Sequence, residues 1–266
     1  MLSRQSVHNM DLLGFGMSKL VTFLMVLARV GGIFTLAPVF GNQNVTRLAR
    51  IAIAVSLTFV FVPMVNYSLT SFEIIPFLTV IFKEIMVGVL MGFLASMVFS
   101  AITMAGSYID LAMGLGFSQQ VDPMTKERTA VMGQLQTLVA TLIFLAVNGH
   151  HIMIRGLADS FSVIPIGAMT FNPAAAKGML FVFSAVIMAA LKISAPVVGI
   201  IFITDVAMGI MGRTVPQMNI FNVGFALKLA VGLLVVIVVL PSTATIVTGL
   251  FMGLHRDFMV LLRNLI

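Results

Sequence analysis

The residues to be tested first for chemistry are the carboxylates, histidines and hydroxyls that stand near glycine turns. Asp110 precedes Gly114-Leu115-Gly116, and an intramembrane aspartyl centre needs a second carboxylate directly after such a Gly-x-Gly. Phe117 occupies that position, so the acid pair that would share a proton and activate water is missing. His150 and His151 are adjacent, which places their rings on different faces of a helix. No carboxylate lies nearby in sequence to orient either ring, and no His-Glu-x-x-His pattern exists, so both read as interfacial or packing histidines. The chain has no Cys, which removes thiolate metal sites, disulfides and a Cys nucleophile. It also lacks a Gly-x-x-x-x-Gly-Lys-Ser/Thr loop, so it hydrolyses no nucleotide by that route. The sequence therefore predicts no enzyme, no catalytic residue, no metal and no cofactor.

What remains is charge in unusual places. Residues 110–128 hold Asp110, Asp122, Lys126, Glu127 and Arg128, yet the runs 85–109 and 129–154 on either side carry no charge if His150 and His151 are neutral. A glycine-rich polar segment between two membrane-length apolar runs must satisfy its backbone in water, in the protein interior or in a wet cavity. It is either a solvated connection between helices or a segment folded back into a pore. Arg29 stands within an apolar stretch, where a charge normally faces protein, water or a carboxylate rather than lipid. Lys83 and Glu84 either mark an interfacial helix end or turn toward neighbouring helices, and Asp205 and Arg213 are expected to contact protein or water. Most of the 21 methionines read as packing, while Met208, Met211 and Met218 are candidates for a deformable constriction.

The elements that must position these groups follow from composition. Hydrophobic residues make up 60% of the chain and charged ones 9%, against about 25% charged in soluble domains, so the chain cannot coat a water-facing surface. Its apolar residues run continuously instead of alternating, which excludes a transmembrane barrel and leaves an all-α, polytopic membrane protein. The net charge of +6 is scattered singly between spans, a pattern that orients loops and argues against nucleic acid. No cleavable signal peptide is evident, because 12–36 is long, contains Lys19 and Arg29, and is followed by further spans.

About six broken or kinked hydrophobic helices are predicted. The run 12–40 is interrupted by Lys19, Arg29, Gly31-Gly32 and Pro38, and 74–109 by Lys83-Glu84. Residues 155–177, with Pro165, Gly167 and Pro173, read as a loop with a re-entrant or interfacial element. The run 178–205 is broken by Lys192 and Pro196, and 229–255 is kinked by Pro241. Such breaks persist only where neighbouring helices or water satisfy the freed backbone groups, so the chain reads as built to pack against other membrane proteins.

Residues 205–228 contain a polar break, with Arg213, Pro216, Gln217 and Asn219, that taken alone is a helix–loop–helix connection. Its run Gly-Arg-Thr-Val-Pro-Gln-Met-Asn-Ile-Phe-Asn-Val-Gly-Phe-Ala-Leu-Lys resembles the signature of the FliR family of type III secretion export-gate subunits. Three more segments agree in order: Arg29-Val-Gly-Gly with Pro38-Val-Phe-Gly, Lys83-Glu84 opening a Gly-rich apolar stretch, and Ala105-Gly106-Ser-Tyr-Ile-Asp110 leading to Val-Asp122-Pro123. The resemblance covers essentially the whole chain. It implies a non-enzymatic subunit of an inner-membrane, flagellar export gate for unfolded proteins. FliP-like and FliQ-like subunits, FlhB-like and FlhA-like export proteins, exported substrates and membrane lipid would be its partners. Residues 1–176 would correspond to a FliP-like part and 177–266 to a FliQ-like helical hairpin. The family's pore plug would fall on Gly106, Asp110, Gly114, Gly116, Phe117, Ser118, Gln119, Gln120, Asp122 and Pro123. Subunit contacts would fall on Arg29, Lys83, Glu84, Asp205, Arg213, Pro216 and Asn219. The competing reading is a self-contained small-solute transporter with discontinuous helices, which should carry a convergent substrate site and work alone.

Overall fold

The computed structural model describes residues 2–38, 46–65, 73–116, 130–170, 173–214 and 220–266. Seven α-helices are present among them: α1 (Leu2–Leu36), α2 (Arg47–Phe61), α3 (Ile74–Met113), α4 (Val131–Ala146), α5 (Gly149–Val163), α6 (Pro173–Thr214) and α7 (Ile220–Arg263). The described residues contain no strand, and the expected all-α polytopic membrane protein is the one observed. Among the described residues, five stretches are long and apolar enough to cross a membrane: Ser18–Leu36, Arg47–Met64, Ile74–Met113, Lys177–Thr214 and Asn222–Arg263. The pair α4 and α5 adds a sixth if counted as one broken span, in line with the six units read from the sequence.

The helices run through most of the interruptions that the sequence suggested. Lys19, Arg29 and Gly31-Gly32 all lie within α1, and Lys83-Glu84 within α3, because a charged side chain does not disturb the backbone ladder when it finds a partner. Pro196 and Pro241 are accommodated inside α6 and α7, each costing one backbone hydrogen bond while the rest of the helix continues. Residues 106–113, expected to open the central plug segment, are the last turns of α3, and 155–163, expected as loop, complete α5. At about 1.5 Å per residue, the 40 residues of α3 extend about 60 Å, twice a hydrocarbon core of about 30 Å. The 42-residue α6 and 44-residue α7 exceed it in the same way.

Local chemistry explains the ends. Thr46 caps α2 by accepting from the Ala49 N–H at 3.3 Å, and Pro63 closes that helix in a 3-10 turn over Val62–Met64. The α4–α5 break falls at Asn148, whose φ of 55° lies in the left-handed region that Asn tolerates better than most residues. Gly114 ends α3 with φ 79°, where a side chain would strain the backbone.

The chain forms two compact units. The first comprises Met1–Ser96, His151–Leu180 and Leu254–Ile266, and buries Met25, Val30, Ile33, Met91, Leu157 and Phe258. Here α1 and α3 meet backbone to backbone: a Cβ on Gly32 would lie 2.6 Å from the Ile85 carbonyl oxygen, and one on Gly88 would fall onto the Arg29 carbonyl. Only glycine allows that approach. The second comprises Met97–His150 and Phe181–Gly253. Its interior holds the rings of Phe99, Phe144 and Phe251, with centroids 5.1–5.7 Å apart, and a cluster of Ile109, Met113, Met132, Val197 and Ile201.

Candidate functional site

Among the described residues, Arg29 is the largest side chain wholly removed from solvent. The glycine-mediated crossing of α1 and α3 brings it against Glu84, one turn before Gly88 on α3. Its Nε donates to Glu84 Oε2 at 2.7 Å, and both side chains are 0% exposed. Nη1 donates to the Ser160 carbonyl at 2.9 Å and the Ser160 hydroxyl at 3.2 Å, and Nη2 donates to the Ile164 carbonyl at 2.9 Å. Those carbonyls belong to the C-terminal end of α5, where backbone dipoles favour a cation. The Phe161 ring covers the guanidinium, its centroid 4.4 Å from Cζ, and packs 6.0 Å from the Phe61 ring of α2. Glu84 Oε1 accepts the Gly167 N–H at 2.9 Å, and Lys83 Nζ donates to the Gly167 carbonyl at 3.1 Å. A planar fork with five donors suits this convergence of carboxylate, hydroxyl and helix-end carbonyls, and an ammonium in the same place would leave acceptors unserved.

This arrangement ties α1, α3, α5 and the 164–167 turn of the first unit at one point. It resolves the alternatives for Glu84 in favour of a side chain turned to a neighbouring helix, with Lys83 half-buried beside it. With Arg29 and Glu84 spent on each other and on α5, their charged groups face this chain's own helices. Both charges have partners within the site.

Asp110 does comparable work in the second unit. It is 3% exposed, and its carboxylate accepts the Met132 N–H at 3.1 Å through either oxygen and the Gly133 N–H at 3.4 Å. Those are free donors of the first turn of α4, whose own N-cap position, Ala130, has no side chain to satisfy them. A residue of α3 thus caps α4. Close packing of Gly106 on Gly133 allows the approach, since a Cβ on Gly106 would overlap the Gly133 backbone.

The remaining predicted residues divide cleanly. Asp205 of α6 pairs with Lys228 of α7 at 2.5 Å, partly exposed, which joins these two helices. Arg213 is exposed in the last turn of α6. Gly114 and Gly116 follow α3 directly. Phe117, Ser118, Gln119, Gln120, Asp122, Pro123, Pro216, Asn219 and Met218 lie outside the described residues. Of the candidate methionines, Met208 is buried and Met211 exposed.

Sequence reasoning missed Ser160, Phe161, Ile164 and Gly167, the residues that complete the Arg29 site. The demand was visible, since a charge inside an apolar helix needs a partner, but nothing local says where the partner lies. Gly88 and Gly92, four apart on α3, were the legible sign of a close helix crossing. Among the described residues no group of three or more His, Asp or Glu side chains could hold a metal ion.

Comparison with known proteins supplies the context for these interactions. A family model described as bacterial export proteins, family 1, matches residues 20–254. The flagellar biosynthetic protein FliR of Bacillus subtilis (strain 168) is 35% identical over 233 residues, covering 86% of this chain and 90% of that protein. The flagellar biosynthetic protein FliR of Escherichia coli (strain K12) is 29% identical over 239 residues, covering 88% and 90%. That of Aquifex aeolicus (strain VF5) is 28% identical over 240 residues, covering 90% and 93%.

Proposed function

The chain belongs to family 1 of the bacterial export proteins, and from this premise we propose that it is a non-enzymatic subunit of a flagellar protein-export gate. It resides in the bacterial inner membrane and helps to form the path by which unfolded flagellar proteins leave the cell. The observation that carries this reading is the match of residues 20–254, from within α1 to near the end of α7, to the bacterial export family, together with relatives named flagellar biosynthetic protein FliR that align over most of the chain. The geometry agrees with a subunit. Arg29, Glu84 and Asp110 stabilise helix crossings, while broad apolar faces stay uncovered, with only 17% of the most apolar part of Arg47–Met64 and of Asn222–Arg263 buried.

In this reading FliP-like and FliQ-like subunits cover those faces, with FlhB-like and FlhA-like export proteins next to them. Residues 1–176 take the FliP-like place and 177–266 the FliQ-like hairpin, which the Asp205–Lys228 pair holds together. Lys83, Asp205, Arg213, Pro216 and Asn219 act at or near subunit contacts; Arg29 and Glu84 act by setting the shape that is presented. The pore obstruction is assigned to residues 114–122, because 106–113 complete α3 and Asp110 is engaged with α4.

Two measurements test the proposal. The tagged chain should co-purify with FliP-like and FliQ-like subunits, and a strain without it should export no flagellin; recovery of the chain alone from a strain with normal export would refute the role. Shortening 115–120 should leave that complex intact and raise leakage of small solutes across the membrane. An intact complex that conducts no more than the parent would remove the obstruction from the proposal.

A further inference from the structure

Lys192 is an exposed cation halfway along α6 and the only charged residue between Lys177 and Asp205. The uncharged runs beside it, 178–191 and 193–204, are each shorter than the ~20 residues needed to cross a hydrocarbon core. A crossing made by this part of α6 therefore carries Lys192 into or against the apolar layer, where an ammonium is costly against lipid and is best served by a carboxylate on a neighbouring helix. Among the described residues Lys192 forms no ion pair.

An open groove of about 670 Å³ runs beside it within the second unit, between the end of α3 and α6. Leu111, Leu191 and Phe202 form its apolar walls, and Ala112, Ala195 and Gly199 are among the small residues that line it. Lys192 shares the exposed strip of α6 with Ala195 and Gly199, three and seven residues on, and so stands at the groove's rim. Gly199, like Gly31, Gly209 and Gly249, is not demanded by the chain's own packing, but of these it alone lines the groove. A Cβ there would meet nothing within 4 Å, in contrast to Gly88 and Gly106, whose missing side chains the chain's own packing demands. Glycine is a poorer helix former than alanine, so its presence here matches close approach of something from outside the chain.

We propose that the α3–α6 groove seats an apolar helix of a second export-gate subunit, and that this helix brings an Asp or Glu side chain to Lys192. The inference rests on the export-gate role and adds to it the place and the chemistry of one contact. Small residues let the two helix backbones approach, the groove walls take the partner's apolar side chains, and the ion pair sets the register along α6. A lipid chain also fits an apolar groove, but it neutralises Lys192 only at headgroup level, whereas a carboxylate on a seated helix reaches it at any depth.

The test uses the full chain co-expressed with its export-gate partners. Lys192→Glu and Gly199→Phe should each lower the co-purified complex by about tenfold or more, the least expected on breaking a desolvated charge pair or filling the seat. Membrane levels of the chain itself should stay unchanged, and Lys192→Arg should assemble as the parent does. An Asp→Lys or Glu→Lys change in an apolar helix of one partner should restore assembly of Lys192→Glu. A photo-crosslinker at Val198 should join that same helix. Parental assembly of both variants would overturn the proposal. So would crosslinks only to lipid, or rescue of Lys192→Glu by reversing Asp122 or Glu127 of the same chain. Absence of any partner complex with the unaltered chain would instead refute the export-gate role, which keeps the two failures distinguishable.

Discussion

Replacing Glu84 with Leu removes the only carboxylate that pairs with Arg29 in the described structure, at a site where both side chains are 0% exposed. Arg29 Nη1 and Nη2 keep their carbonyl and hydroxyl acceptors, but Nε loses its partner and the Gly167 N–H loses Glu84 Oε1. Leaving one member of a buried ion pair uncompensated costs about 3–5 kcal/mol. At about 2–4 °C per kcal/mol for a chain of this size, the midpoint of thermal unfolding should fall by roughly 6–20 °C. Glu84→Gln keeps one acceptor at the site and should fall between the parent and Glu84→Leu. The double variant Arg29→Met/Glu84→Leu removes both charges and should be more stable than Glu84→Leu, because an apolar pair carries no desolvation penalty. The chain has no Trp, so heating tagged, detergent-solubilised protein and measuring the surviving monodisperse peak is a suitable assay. A Glu84→Leu midpoint within about 2 °C of the parent, or a double variant no better than Glu84→Leu, would refute the assignment of this pair as the lock between α1, α3 and α5.

Asp110→Leu should cost about 1–2 kcal/mol, the range for losing a helix N-cap, and Asp110→Asn should recover most of it. Hydrogen exchange at the Met132 and Gly133 amides should quicken in the Leu variant; unchanged protection would show that α4 is capped by other groups. Gly88→Ala should abolish the monodisperse peak, because its Cβ lands on the Arg29 carbonyl, whereas Gly31→Ala, with open space around it, should melt at or slightly above the parent. Equal behaviour of the two alanine variants would mean that the α1–α3 crossing is looser than described. Ile266→Cys introduces a lone thiol beyond Arg256 and Arg263, and the positive-inside rule places it in the cytoplasm. It should resist membrane-impermeant thiol reagents in intact cells, and ready labelling would reverse the orientation.

The sequence by itself determined the class of molecule. With so few charged residues, exposure to water on all sides is excluded by composition alone, and the order of apolar runs follows from a sum over neighbours in the chain. It also marked Arg29 as a group in need of compensation, since the cost of isolating a charge in an apolar run is local. What it did not hold was the identity of the compensation. Glu84 lies 55 residues from Arg29, and Ser160 and Ile164 lie 131 and 135 residues away, so no window along the chain contains the site. Only the close crossing at Gly32 and Gly88 decides that these side chains meet. The reading of residues 155–163 as loop failed for the same reason, and of the two readings of Lys83-Glu84 it is the helix end that the structure does not show. Polarity in a sequence looks like the end of a helix, but the backbone bonds of α3 close within the helix while Arg29 and Gly167 satisfy the polar side chains of Glu84 and Lys83, and Arg29 serves the end carbonyls of α5.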